Sequence, residues 1–456
     1  MVFLNKKKNT KKKSKNSFNR ISRFEPLFDS AYSKKFKDKF LNTMFDAVYG
    51  QKKKAVLGKG DAFEISESYK LDSEYVISQV LEAIPTADPR FDIKMAVDKF
   101  GERGVPRGKA IEISGPEENM KSTLAHHIIK AAQSDPRGAI VKIYETEGKA
   151  NPRYIEAAGC DISQIVILFP DYIEQVYWDI RNTLKAYIKD RNKSVLEFVK
   201  KYAKKSMTNM EFDELIFRGR MSYPLLLFLY DSIGNHQSME AYKKNEAGKI
   251  TKTPGKHAQA HAEGYRDIIT PLCNAMGILM AVNHTKDEMG GMVGAWGVKR
   301  TTTFGGKHIK YMSSIRIEQR AGSAGGEGMS SSMMTVVRDG VKVPIGKWLT
   351  TKILKNSLIE SSHSAIEHRL FRYKSGVGFD LGVSFTIALA ELGMVKGKPS
   401  FTPSASNKIK LPGRTIDIGF REFHDMLVKD DKLRLELRKM IIEHANNNAT
   451  MLRYDC

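Results

Sequence analysis

The sequence has little cysteine and no long apolar segment, and each scarcity excludes a class of protein. Its 456 residues contain three cysteines, Cys160, Cys273 and Cys456, which are scattered and not spaced as metal ligands. This pattern excludes a disulfide framework and favours a reducing compartment. The longest apolar run, residues 224–230, is far too short to cross a bilayer. We therefore expect an intracellular protein without a membrane-spanning segment.

Acidic residues are missing from the first 23 positions, which hold nine lysines and arginines. No apolar segment follows, so this stretch is not a signal peptide. We predict a disordered basic arm that binds nucleic acid, acts as a localisation signal or is merely solvated. The whole chain carries a net charge of +22. Lysines also crowd residues 185–205 and 243–256, so the arm alone does not account for the charge. Such an excess favours nucleic acid as the partner and, second, an anionic membrane surface.

Apolar runs separated by helical patterns dominate the middle of the chain. The strand candidates are residues 110–114, 139–146, 165–169, 225–231, 277–284, 313–318 and 349–354. Near-continuous apolar strands with helical crossovers are typical of an α/β fold with a mainly parallel twisted sheet covered on both faces. Ligands of such sheets bind at the carboxyl ends of the strands.

Four parts are predicted along the chain. The basic arm, residues 1–23, precedes a small N-terminal helical region, residues 24–84, to which we assign oligomerisation. Residues 85–380 carry the sheet, and residues 381–456 form a small C-terminal α+β domain that ends in an amphipathic helix over residues 431–446. Two insertions interrupt the core. Residues 182–220 are basic and helical in pattern, and residues 321–347 are first glycine- and serine-rich and then hairpin-like.

Glycine is also absent where a phosphate-binding loop usually has one, directly before Lys121. The pattern is otherwise that of such a loop, with a strand, a turn and then Lys121, Ser122 and Thr123 at the start of a helix. Backbone N–H groups would cradle phosphates, the lysine would neutralise them, and the serine hydroxyl would hold Mg²⁺. An ordinary strand–turn–helix is the alternative. The loop residues expected to bind the nucleotide are Gly115, Pro116, Glu117, Glu118, Asn119 and Met120.

Three polar residues follow predicted strands at their carboxyl ends. Asp231 can hold Mg²⁺ beside the phosphate loop, although an isolated aspartate there is more often a cap or turn residue. Glu147 can orient and deprotonate the water that attacks a γ-phosphate, with Glu145 as its local competitor. His284 can contact the γ-phosphate, or it is a hydrogen-bonded structural residue.

Two basic segments predict contact with nucleic acid. Residues 285–304 combine glycine, cations and apolar side chains that can wedge between bases, with a disordered surface loop as the alternative. Residues 235–264 are lysine-rich, and His257 and His261 within them are interpreted as surface residues because no third metal ligand is near. The candidate DNA-binding residues are Lys286, Met289, Met292, Lys299 and Arg300 in the first segment and Lys243, Lys244 and Lys256 in the second.

Six segments, in this order, resemble the RecA-type recombinases, nearest to the phage branch of that family, the UvsX-like proteins. They are GPEENMKST, YETEGKANPRYIEAAGCDIS, LLLFLYDS, AVNHTKD, TTTFGGKHIKYMSSIRIE and TKILKNS, spread over about residues 85–380. The second and fifth are the most specific, because no generic nucleotide-binding motif predicts them. The resemblance implies a RecA-like P-loop ATPase core.

The resemblance also implies roles for single residues. Lys121, Ser122 and Thr123 would bind ATP phosphates and Mg²⁺. Glu147 would be the catalytic carboxylate, Asp231 the second carboxylate at the metal, and His284 the γ-phosphate sensor where the family usually has glutamine. The adenine pocket would contain Tyr154, which stacks on the base, with Asn151 at its edge and Tyr373 as a weaker candidate.

Further residues are implied at the interface between subunits of a helical filament. They are Lys310, Tyr311 and Arg316, together with Lys355, which would reach the ATP of the neighbouring subunit. The bacterial pattern has a second lysine two positions after Lys355, where this chain has Ser357.

These features predict an ATP- and Mg²⁺-dependent recombinase in the cytoplasm of a bacterial host. It would form filaments on single-stranded DNA, pair them with homologous double-stranded DNA, and work with single-strand-binding and loader proteins. Two alternatives stay open. One is a hexameric DNA helicase with the same core. The other is a non-enzymatic DNA-coating protein in which Met120 and Ser357 mark a lost ATPase.

Overall fold

A computed structural model describes residues 80–451, apart from 99, 204–207, 247–254, 288–300, 323–332, 339, 360–364, 374–375, 397–405 and 412–413. The predicted basic arm and nearly all of the predicted N-terminal helical region lie outside these residues. In the part of the chain that the structure describes, no helix combines the length and the apolarity needed to cross a bilayer.

Helices and strands alternate through the first two thirds of the described chain. The strands are β1 (Ala83–Ile84), β2 (Val105–Pro106), β3 (Lys109–Gly115), β4 (Ala139–Glu145), β5 (Ile165–Leu168), β6 (Leu225–Asp231), β7 (Ile278–Asp287), β8 (Thr301–Thr303), β9 (Ile315–Ala321), β10 (Met333–Arg338), β11 (Val341–Asn356), β12 (Ala365–Tyr373), β13 (Gly376–Phe379), β14 (Val395–Lys396), β15 (Ser406–Leu411) and β16 (Arg414–Gly419). The helices are α1 (Pro89–Met95), α2 (Lys121–Gln133), α3 (Pro152–Ala157), α4 (Ile173–Tyr202), α5 (Asn209–Met221), α6 (Met239–Glu246), α7 (Lys256–Ala275), α8 (Gly306–Met312), α9 (Leu381–Glu391), α10 (Phe420–Lys429) and α11 (Asp431–Met451).

The central sheet has the order β13-β12-β11-β9-β3-β7-β6-β4-β5. The six strands from β9 to β5 are mutually parallel, which confirms the α/β fold with a mainly parallel sheet. The expectation that residues 349–354 join the parallel set is wrong, because β11 pairs antiparallel with β9, β10 and β12. A two-residue turn between β10 and β11 sets that direction, whereas a parallel strand needs a long crossover.

Both faces of the sheet are buried, so its strands are apolar at successive positions. In β6, Leu225, Leu227 and Leu229 pack in the core that contains α2, and Leu226, Phe228 and Tyr230 pack in the core under α4 and α7. Alternate side chains of a strand point to opposite faces, so a strand buried on both sides shows no alternation of apolar and polar residues. The parallel pairing of β3, β7, β6 and β4 places their carboxyl ends at one edge of the sheet.

The C-terminal helices and strands share a separate apolar cluster that includes Phe385 of α9, Phe423 of α10 and Leu437 of α11. Ile93 of α1 packs against this cluster. Arg438 of α11 donates to Asp92 of α1 at 3.0 Å. The predicted terminal helix is confirmed, and it runs on to Met451.

The two predicted insertions have regular structure in the described residues. The basic one is a helical hairpin of α4 and α5, in which Phe198 and Val199 pack against Leu215. The second contains the predicted hairpin, formed by β10 and β11 on either side of Gly340.

Candidate active site

The phosphate loop joins β3 to α2 and has the backbone shape that the sequence predicts, without the usual glycine. Gly115 has φ of +152°, and a Cβ there would lie 2.1 Å from the carbonyl oxygen of Gln319, so only glycine fits. Met120 adopts the left-handed conformation, with φ of 57°. That conformation costs a residue other than glycine roughly 1–2 kcal/mol. The Met120 side chain packs against the apolar core, which offsets part of this strain.

Lys121 and Ser122 open α2 and face carboxylates from neighbouring strands. Lys121 Nζ donates to the Pro116 carbonyl at 2.7 Å. Burial lowers the Lys121 pKa, and the Asp231 and Glu147 carboxylates oppose that shift. Ser122 Oγ donates to Asp231 Oδ2 at 2.5 Å, and burial raises the Asp231 pKa to about 6. A hydroxyl and one carboxylate beside a phosphate loop fit Mg²⁺, which keeps several waters and shares its remaining positions with nucleotide phosphates.

Among the described residues, four side chains donate hydrogen bonds to Glu147. Ser232 Oγ lies at 2.6 Å, Lys149 Nζ at 2.7 Å, Asn235 Nδ2 at 2.8 Å and His284 Nε2 at 2.9 Å. Burial acts to raise the Glu147 pKa, but the hydrogen bonds from Lys149, Ser232 and His284 outweigh it and lower the pKa to about 2. Glu147 is therefore an oriented carboxylate that stays ionised.

Glu145 and Glu147, the two competing carboxylates, have different surroundings. Glu145 is buried, and its Oε1 accepts the backbone N–H of Glu147 at 2.7 Å. Glu145 thus holds the turn that follows β4. Glu147 instead faces the ends of β6 and β7, where His284 Nδ1 is buried without a hydrogen-bond partner among the described residues.

Sequence reasoning missed Ser232, Asn235 and Lys149 as partners of Glu147. Ser232 and Asn235 come directly after β6, so the rule that ligands gather at the carboxyl ends of parallel strands was the signal that points to them. It also missed Glu112, which is fully buried in β3. Glu112 accepts from Arg316 Nε at 2.5 Å and from Asn283 Nδ2 at 2.9 Å.

Of the residues predicted for the adenine pocket, Tyr154 contacts α2 directly. Tyr154, in α3, is hydrogen-bonded through its hydroxyl to Thr123 and lies edge-on to His126, with ring centroids 5.9 Å apart. Asn151 caps α3 by accepting the Arg153 N–H at 3.0 Å. Tyr373 ends β12, and its backbone pairs with Gly376 of β13, a strand that lies near α3. Their adenine-binding roles stay predictions.

The predicted interface residues gather at α8 and at the neighbouring ends of β9 and β11. Tyr311 is 71% exposed, and Lys310 Nζ donates to Thr302 Oγ1 at 2.7 Å. Lys355 Nζ donates to carbonyls at the end of α8, at 2.8 Å to both Tyr311 and Ser313. Arg316 pairs with Glu112 inside the same chain. Their roles between subunits stay predictions.

The two predicted DNA-binding segments are described in part. Lys243 and Lys244 lie in α6 and Lys256 begins α7; Glu240 pairs with Lys244 at 2.7 Å and with Lys256 at 3.2 Å. Lys286 lies in β7, where its backbone pairs with Thr302 of β8. The others, Met289, Met292, Lys299 and Arg300, lie outside the described residues.

The interpretation of His261 as a surface residue is wrong. Its side chain is fully buried in α7, where Nδ1 is hydrogen-bonded to the Tyr177 hydroxyl at 2.8 Å. Helical spacing does not show which face a residue occupies, and α4 covers this face of α7. Burial lowers the His261 pKa well below its usual value.

A buried histidine on the phosphate-loop helix predicts loss of stability in acid. Burial lowers the His126 pKa from 6.5 to about 4. The stability that neutral His126 contributes is complete above about pH 6.5 and is lost as the pH falls through about 4, by at most about 3 kcal/mol. Urea unfolding across this pH range should show a shallower acid loss for His126→Gln. The exposed His308→Gln variant should match the parent, and equal slopes in all three proteins would contradict the prediction.

Comparisons with known proteins agree with this geometry. Residues 62–188 match the RecA N-terminal domain. The chain is 28% identical to Protein RecA of Fusobacterium nucleatum over 281 residues, which cover 62% of this chain and 58% of that protein. It is 25% identical to Protein RecA of Roseiflexus sp. over 72% of this chain and 74% of that protein. It is 22% identical to Protein RecA of Rhodococcus jostii over 86% of this chain and 89% of that protein. The α/β core is thus RecA-like in both fold and sequence.

Proposed function

We propose that this protein is an ATP-dependent recombinase of the phage RecA type. It forms filaments on single-stranded DNA and catalyses homologous pairing and strand exchange in recombination and repair, in the cytoplasm of a bacterial host. One observation carries the proposal: the start of α2 meets the carboxylates that follow β4 and β6, because Ser122, next to Lys121, donates to Asp231 at 2.5 Å, and Ser232, next to Asp231, donates to Glu147 at 2.6 Å.

In this proposal the phosphate loop and the start of α2 hold ATP. Ser122 and Asp231 would hold Mg²⁺, and the ion would supply positive charge beside the nucleotide phosphates. Lys121 releases the Pro116 carbonyl and turns to the phosphates. Burial lowers the Lys121 pKa, and the negative charge of a bound γ-phosphate would act in the opposite direction.

Glu147 orients the attacking water. With a pKa of about 2 it is a weak base while its hydrogen-bond donors are in place. Lys149 and His284 can each donate to a γ-phosphate instead. Losing their hydrogen bonds raises the basicity of Glu147, so substrate binding itself prepares the carboxylate for proton transfer.

The link to DNA runs through His284. Its hydrogen bond to Glu147 ties the active site to β7, which pairs with β8, and these two strands flank residues 288–300 in the sequence. A histidine that moves from Glu147 to a γ-phosphate would change the position of this pair of strands. ATP and its hydrolysis product then give different DNA affinities.

The same proposal includes the division of the chain and its assembly. Residues 24–84 would mediate oligomerisation, residues 85–380 would form the ATPase core, and residues 381–456 a small C-terminal domain. Lys355 would reach the ATP of the neighbouring subunit, and trans cations of this kind are worth on the order of 10³–10⁵ in rate for related nucleotide hydrolysis. Single-strand-binding and loader proteins would be further partners.

The test of the function is ATP turnover by the purified protein with and without single-stranded DNA. We expect stimulation by DNA in the parent and none in Lys121→Ala. No stimulation, or full turnover in Lys121→Ala, would contradict the proposal. Electron microscopy on single-stranded DNA with a slowly hydrolysed ATP analogue separates the rivals, because open helical filaments support a recombinase and closed rings support a helicase.

A further inference from the structure

The long helix α4 presents a row of cations to solvent. At 1.5 Å per residue its 30 residues extend about 45 Å. We call its regularly spaced cations the cationic stripe. They are Arg181, Lys185, Lys189, Lys193 and Lys200. Steps of four residues keep them on one slowly turning face, and the last of them, after a step of seven, returns to the same face.

The acidic residues of α4 lie to one side of this face. At 100° per residue, Asp179, Asp190 and Glu197 lie roughly 90–110° around the helix from the middle of the stripe. Asp179 accepts from Lys142 at 2.7 Å, and Glu174 accepts the Met239 N–H at 2.8 Å. The ion pair of Arg181 with Asp267 of α7, at 3.0 Å, is solvent-exposed and contributes little.

Two large apolar side chains lie exposed within the stripe. Trp178, one turn before Arg181, is 62% exposed, and Leu196, one turn after Lys193, is 55% exposed. An exposed indole beside cations suits a nucleic-acid base, because every base offers a face for stacking while the cations bind phosphates. Exposed tryptophan and leucine side chains are not expected on a face that only carries solvated charges.

The stripe begins next to the described part of the second predicted DNA-binding segment. The Ile173 N–H, at the start of α4, donates to the Gln237 carbonyl at 2.9 Å, and the Tyr172 ring lies 5.7 Å from that of Tyr242 in α6. From Trp178 to Lys200 the stripe then runs about 33 Å along α4. A strand held at α6 and α7 can therefore continue along it.

We infer that the cationic stripe is a nucleic-acid-binding track that holds a DNA strand through its phosphates. The spacing supports this, because four helical residues advance about 6 Å and two nucleotides of one strand advance about 6.8 Å. The inference rests on the proposed function only in taking DNA as the polyanion. Among the described residues, the hydrogen-bond partners of Lys121, Asp231 and Glu147 include no stripe residue, so we expect the track to bind DNA without nucleotide.

The test measures binding of fluorescently labelled single-stranded DNA to the full-length, nucleotide-free protein as a function of salt. In the triple variant Lys189→Gln/Lys193→Gln/Lys200→Gln we expect affinity at about 0.15 M salt to fall on the order of tenfold or more, and the salt slope to fall by about 2. Trp178→Ala should lower single-strand affinity about fivefold or more at an unchanged slope, because stacking releases no counterions.

The matched control removes three exposed lysines from the C-terminal helices, Lys429→Gln/Lys432→Gln/Lys439→Gln, and should bind like the parent. A stripe variant that also binds like the parent overturns the inference, as does one that changes only self-association, which would make the stripe a contact between copies. If DNA stimulates ATP turnover but the stripe variants bind DNA like the parent, the proposed function stands and the inference about the stripe fails. If the stripe variants lose DNA affinity but DNA does not stimulate ATP turnover, the proposed function fails and the inference about the stripe stands.

Discussion

Glu147→Gln is expected to lower the rate of ATP hydrolysis on the order of 10²–10⁴-fold. Glutamine keeps the size of the side chain and can still accept hydrogen bonds from Ser232 and His284, but it cannot take a proton. Nucleotide binding should change little, because Glu147 binds no phosphate in this account. The measurement is steady-state turnover with Mg²⁺ and single-stranded DNA, alongside nucleotide affinity.

Glu145→Gln is the matched comparison, since the two residues are the same acid two positions apart. Glu145 Oε1 accepts a hydrogen bond from the backbone N–H of Glu147 in the turn after β4, and the amide oxygen of a glutamine can accept the same hydrogen bond. We expect a loss of less than about tenfold, as for a group that positions another. Equal losses of turnover in both variants, or a larger loss in Glu145→Gln, would contradict the assignment of the chemistry to Glu147.

Arg316→Ala is expected to destabilise the folded chain by about 3–5 kcal/mol, because it removes the cationic partner of a carboxylate buried in the middle of the sheet. Glu112 is fully buried, and the Arg316 side chain is 15% exposed. Urea unfolding of the nucleotide-free monomer measures the effect. Arg320→Ala is the control two residues along β9, where the exposed arginine pairs with Glu318 and should cost less than about 1 kcal/mol.

A second variant separates lost charge from lost packing. Glu112→Gln combined with Arg316→Ala removes both charges, so it should be more stable than Arg316→Ala alone. A filament defect in Arg316→Ala with unchanged unfolding would instead mean that Arg316 acts between subunits only. In that case the Arg316–Glu112 ion pair contributes nothing to the free energy of unfolding of the monomer.

The parts of the site that follow from local pattern could be predicted. Lys121, Ser122 and Thr123 are neighbours in sequence, and a strand–turn–helix brings their backbone groups together without help from the rest of the chain. Asp231 and Glu147 followed from one further rule, that parallel strands end at a common edge. To place Asp231 and Glu147 at this edge, only the order of the apolar runs along the sequence was needed.

The parts that depend on distant partners could not be predicted. Glu112 stands out as a charge between the apolar residues of β3, but its role depends on Arg316 and Asn283, which lie 204 and 171 residues away. Likewise, a run such as residues 349–354 does not reveal its direction in the sheet. The β10–β11 hairpin sets the direction of β11, and the sequence signal for that hairpin lies in the turn that precedes residues 349–354.

The left-handed Met120 is a third case, in which local pattern alone misleads. A pattern that demands glycine rejects this loop, whereas the backbone takes the required conformation with methionine. Burial of the side chain against the apolar core offsets strain that no local rule includes.

The most direct test of the central claim compares single-stranded DNA affinity with a slowly hydrolysed ATP analogue and with ADP, in the parent and in Lys121→Ala. We predict that the analogue tightens binding by at least about tenfold, which is about 1.4 kcal/mol of coupling, and that Lys121→Ala loses the difference. Equal affinity in the two nucleotide states of the parent protein would contradict it.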